Sequence, residues 1–128
     1  MGTRATYRFL ATENAPETTV YINDDGYPSG AAEYYILPAC KGNYRRLSVE
    51  KFIRANEKAE ICNGHDSHGD TEYRYDFTNS SLQLAGLGPC CRVQIYRSQW
   101  DSDEWIEDWS GTLDELRIAH KNGEYAWT

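Results

Sequence analysis

Apolar and polar positions change their period several times along the chain, and each change marks an element. Residues 3–10, TRATYRFL, alternate loosely and are rich in Thr and aromatics, which predicts a strand. ATENAPET gathers turn formers, and TTVYIN reads as a second strand closing a hairpin. After the turn-rich DDGYPSG, Ser29 is placed to cap a helix from Gly30 to Leu37, with Pro38 ending it. LSVEKFIRANEKAE has the strongest helical period. Ser48 is its expected cap, Leu47 and Phe52 are spaced as a hydrophobic staple, and Val49, Phe52, Ile53 and Asn56 share one face.

From residue 71 the period becomes two. TEYRYDF sets Tyr73, Tyr75 and Phe77 on one face and Glu72, Arg74 and Asp76 on the other. NSS reads as a turn, SLQLAGL as a strand with Leu82 and Leu84 inward, and RVQIYRSQW as a strand with Val93 and Ile95 inward. An edge strand is expected around Glu104–Trp109, then a helix over 112–119 carrying Leu113 and Leu116. The expected fold is α+β over residues 1–128 as one domain. It is an antiparallel sheet of about five or six strands with two or three helices packed on one side.

Composition supports a folded chain. Of 128 residues, 40% are apolar and 13% aromatic, including ten tyrosines and four tryptophans. No apolar run approaches the roughly 18 residues that span a bilayer. The start, MGTRATYRFL, has no cationic stretch leading into an apolar core, so the expected setting is cytoplasmic, without membrane partners. Four cysteines, Cys40, Cys62, Cys90 and Cys91, are too scattered for a secreted disulfide framework.

Charge divides the chain unevenly. Residues 1–60 hold eight basic and eight acidic side chains, and 61–128 hold five and twelve, so the net −7 arises entirely in the second half. Such a balance disfavours direct nucleic-acid binding, which needs Lys and Arg to replace counterions.

Three stretches could carry chemistry. In the first, Asp25, Gly26, Tyr27 and Pro28 combine turn residues ahead of a helix. The arrangement suits a structural corner, or a backbone anion site that Asp24 and Asp25 would oppose. In CNGHDSHGD, Cys62, His65 and His68 recur every third residue beside Asp70, donors that zinc accepts. The competing reading is a polar loop entering the next strand. The third, WDSDEWIEDW, holds Trp100, Asp101, Asp103, Glu104, Trp105, Glu107, Asp108 and Trp109 without a cation. Tryptophans supply anchors and carboxylates steer a basic partner. The plainer alternative is an acidic edge strand that resists aggregation.

The start MGTRA, the DGYPSG loop and HGDTEYRY together resemble small uncharacterised proteins of phages and bacteria, which begin Met-Gly-Thr-Arg and carry an Asp-Gly-Tyr-Pro loop after their second strand. In that family a tryptophan often precedes the Asp-Gly pair, where Asp24 stands here. The resemblance implies a phage or mobile-element setting rather than a chemistry.

The favoured expectation is a non-enzymatic interaction protein whose acidic, Trp-bearing surface blocks a basic host protein or nucleoprotein complex, in the manner of an anti-CRISPR inhibitor. The alternative is a small metal-dependent hydrolase or metal-binding module centred on Cys62, His65 and His68.

Overall fold

A computed structural model describes residues 2–12, 15–80, 90–99 and 101–123. Among these, six strands form one sheet. They are β1 (Ala5–Phe9), β2 (Thr18–Ile22), β3 (Glu60–Cys62), β4 (Tyr73–Ser80), β5 (Cys90–Gln99) and β6 (Ser102–Thr112), in the order β3-β2-β1-β4-β5-β6. The architecture is α+β, as the alternating patterns predict. The sheet is mixed, because β1 runs parallel to β4 while every other pair is antiparallel. A parallel pair needs a crossover. Here the crossover contains all the chain between β2 and β4, helices included.

Alternation gives the sheet two unlike faces. Ala5, Tyr7 and Phe9 lie in register with Tyr73, Tyr75 and Phe77 on one face, and both Tyr7–Tyr75 and Phe9–Phe77 stack. Val20, Ile22, Val93 and Ile95 complete this buried layer. The helices contribute Ala32, Ile36, Phe52, Leu113 and Leu116 to the same core, and the connection ahead of Ser48 adds Leu47, so they cover this one face. Burial of these apolar side chains, at about 1.5–3 kcal/mol each, is the main stabilising term.

The first helical segment departs from its expected form. It begins at Pro28 in α1 (Pro28–Gly30), widens to a π-helix over Ala31–Ile36 and closes in α2 (Leu37–Cys40). Tyr27, not Ser29, stands at the N-cap, and Pro38 lies within the helix. The Leu37 N–H donates to Ala32 five residues back, so the ladder changes register just where proline brings no donor. Lys41, left-handed at φ 50°, ends the run.

α3 (Val49–Ala55) is shorter than the pattern predicts. Ser48 caps it as expected, accepting from the Lys51 N–H at 3.2 Å. Asn56 stops it, turning extended while its buried amide donates to the carbonyls of Phe52 and Tyr35. After a turn, β3 (Glu60–Cys62) forms where the expected helix reached Glu60 and the expected loop began at Cys62, a strand the pattern did not announce. Asn79 and Ser80, expected in a turn, continue β4. Asn79 there exchanges hydrogen bonds with the Leu47 backbone. The strand expected at Leu82 and Leu84 lies outside the described residues. α4 (Leu113–Asn122) carries a full capping box between Thr112 and Glu115.

Candidate functional site

The opposite face of the sheet is polar. Thr6 and Arg8 of β1 stand beside Arg74 and Asp76 of β4, in register. Tyr96 of β5 and Trp105 and Glu107 of β6 extend that face to the sheet edge.

The β3–β4 connection is drawn onto this face by its chemistry-bearing side chains. His65 sits in a short 3-10 turn, His65–Ser67, and is buried. Its Nδ1 lies 2.6 Å from Thr6 Oγ1, and its Nε2 lies 2.7 Å from Asp76 Oδ1. Arg8 grips the same carboxylate with two bonds, Nε to Oδ1 at 3.0 Å and Nη2 to Oδ2 at 2.7 Å. Burial raises the Asp76 carboxyl, but hydrogen bonds from His65 and Arg8 outweigh it and hold it below its ordinary value. With Asp76 ionised, its carboxylate accepts from His65 Nε2–H and from Arg8, while Nδ1 shares a hydrogen bond with the Thr6 hydroxyl.

Three more contacts pin the connection. His68 stacks on Tyr21 with centroids 3.7 Å apart. Asp70 pairs with Arg4 at 3.0 Å, and Asp66 with Arg74 at 2.6 Å. Cys62 donates weakly to the Gly64 carbonyl at 3.7 Å. The zinc expectation had placed Cys62, His65, His68 and Asp70 around one ion; in the structure Cys62 turns to Gly64, His65 to Thr6 and Asp76, His68 to Tyr21, and Asp70 to Arg4 and Tyr21. Among the described residues no group of three or more His, Cys, Asp or Glu side chains is arranged to hold a metal.

The Thr6, His65 and Asp76 series has the composition of a nucleophilic triad. Yet Thr6 is completely buried, and both imidazole nitrogens are already bonded. As it stands the arrangement fastens a loop and orients Arg8. Sequence reasoning missed it, since Asp76 reads as a solvent-facing strand residue. The available signal was a shared side: Thr, Arg and Asp at alternating positions of two aromatic strands.

The Asp25–Pro28 stretch forms a packed corner. Asp25 is left-handed at φ 50°, and the Gly26 N–H donates to the Thr3 carbonyl at 2.8 Å. Gly26 accepts from the Tyr75 hydroxyl, and Pro28 is buried at the helix start. Asp24 takes the Tyr35 hydroxyl and Lys58, whose hydrogen bonds lower its carboxyl against the opposing effect of burial.

No family model matches the chain, and no curated protein or solved structure is similar to it. The sheet edge differs from both the buried face and the polar face.

There β6 forms the last strand, bonded to β5 alone among the described residues. Asp101, Asp103, Glu104 and Glu107 are exposed, and none of the four forms a salt bridge among the described residues. Asp108 is half-buried and paired with Arg97 at 3.4 Å. Trp105, also half-buried, lies under the Arg74 guanidinium at 4.0 Å, while Trp109 packs on the core. Trp100 lies outside the described residues. The two tryptophans thus divide, one structural and one at the rim of the polar face.

Proposed function

We propose that this protein is an interaction protein that engages a basic, nucleic-acid-binding partner through the acidic edge of its sheet. The supporting observation is the exposure of Asp101 just before the terminal strand and of Asp103, Glu104 and Glu107 on it, none of them in a salt bridge among the described residues. Uncompensated carboxylates steer a cationic surface and raise its association rate. Occupying a nucleic-acid channel would block it, which makes an inhibitor of a host nuclease or guide-RNA complex, anti-CRISPR-like, the concrete form of the reading. The phage or mobile-element setting comes from the resemblance of the first 75 residues or so to such proteins.

Affinity capture from bacterial lysate with salt-gradient elution tests this. The wild-type chain retains a nucleic-acid-binding complex that moderate salt releases. A variant with Asp101→Asn, Asp103→Asn, Glu104→Gln and Glu107→Gln does not. Equal capture by both would refute the reading.

A further inference from the structure

Granted that reading of the acidic edge, we infer that the partner is held by strand addition: an extended Lys- or Arg-bearing segment pairs along β6 as a seventh strand. β6 is 11 residues long, longer than the other strands among the described residues, and β5 covers one of its edges. The other edge faces no strand among the described residues. Register shifts against β5 at Ile95/Tyr96 and at Ser98/Gln99 interrupt the ladder, and the regular runs beside them present backbone N–H and C=O groups to an incoming chain.

Charge selects the occupant. A second copy of β6 would set carboxylate against carboxylate, and like charges directly opposite are destabilising. A strand with basic alternate positions reverses the sign. Beside the edge, on the polar face, a cleft of about 450 Å³ is lined by Asp66, His68, Arg74, Asp103, Glu104 and Trp105 among others. Three carboxylates against one guanidinium leave it net acidic. A Lys or Arg side chain from the added strand enters it while its neighbours point to the other face, since strand side chains alternate.

The test uses the wild-type protein and a synthetic peptide of alternating lysine and threonine, about ten residues long, the length of a strand. Two analogues keep every charge. One is N-methylated at its lysine amides, the other at its threonine amides. In strand addition only one set of amides faces β6. One analogue therefore loses affinity by roughly tenfold or more, as several hydrogen bonds disappear, while the other binds like the parent. The same titration shifts and protects backbone amides of β6. Equal binding of all three peptides would overturn strand addition and leave the acidic surface standing. Binding of none at low salt would overturn both.

Discussion

Asp76 accepts from Arg8 and His65 at once, through 2.7–3.0 Å contacts that join β4, β1 and the β3–β4 connection on the polar face. Asp76 is 6% exposed and His65 is buried with it, so neither can readily turn to water instead, while Arg8 keeps part of its side chain in solvent. Removing one member of such a buried network leaves the others without compensation.

Asp76→Ala is therefore expected to cost about 3 kcal/mol in chemical denaturation, the range for breaking a buried pair. The loss should exceed that of Asp66→Ala, whose carboxylate is 93% exposed in its pair with Arg74.

Acid should erase the same contribution. The folded carboxyl of Asp76 titrates below its ordinary value, near 4 in the unfolded chain. Its stabilisation is thus complete above that unfolded value. It declines as pH falls below it and vanishes beneath the still lower folded value. The stability gap between wild type and Asp76→Asn should narrow over that acidic window and stay constant above it. A gap unchanged by acid would show that the carboxylate charge contributes nothing.

Gly26→Ala tests whether the Asp-Gly-Tyr-Pro corner is sterically required. An added Cβ would lie 2.7 Å from Ala5 Cβ and 2.8 Å from the Thr3 carbonyl, both fixed in or beside β1. Overpacking of this kind should cost about 2–3 kcal/mol. Unchanged thermal stability would mean that β1 and the corner can separate freely.

The cysteines should divide by reactivity. Burial pushes the Cys40 thiol up to about 11 and the Cys91 thiol up to about 12. Both should resist iodoacetamide in the native protein at neutral pH, because the thiolate is the nucleophile. Cys62 and Cys90, each half-buried, should alkylate first in a peptide-mapped time course.

Thr112→Ala removes half of the capping box at α4. Thr112 Oγ1 accepts from the Glu115 N–H at 3.1 Å, and the Thr112 N–H donates to Glu115 Oε1 at 2.8 Å. A loss of about 1 kcal/mol is expected. Thr112→Ser, which keeps the acceptor, should recover most of it.

What the chain determines locally was legible in its order of residues. The period-two runs at Tyr73–Phe77 and Val93–Ile95 place their apolar side chains in the core. Ser48 caps its helix, and Leu113 and Leu116 face inward. These features follow from backbone periods and from hydrogen bonds spanning three or four residues, which neighbouring side chains specify without the rest of the fold.

Tertiary structure decided the rest. Asn56 cuts a strongly helical stretch short because its amide is taken up by Tyr35, 21 residues away. Nothing near Thr6 or Arg8 announces His65 or Asp76, which lie 59 and 68 residues along the chain. Their meeting depends on β1 pairing in parallel with β4, a choice made when both strands bury the same aromatic face. The same fold buries His65 against Thr6 and Asp76 and leaves His68 and Asp70 nearer the surface on Tyr21 and Arg4, although their spacing alone suited a shared ion. Spacing limits which groups can meet; the packing of distant strands determines which of them do.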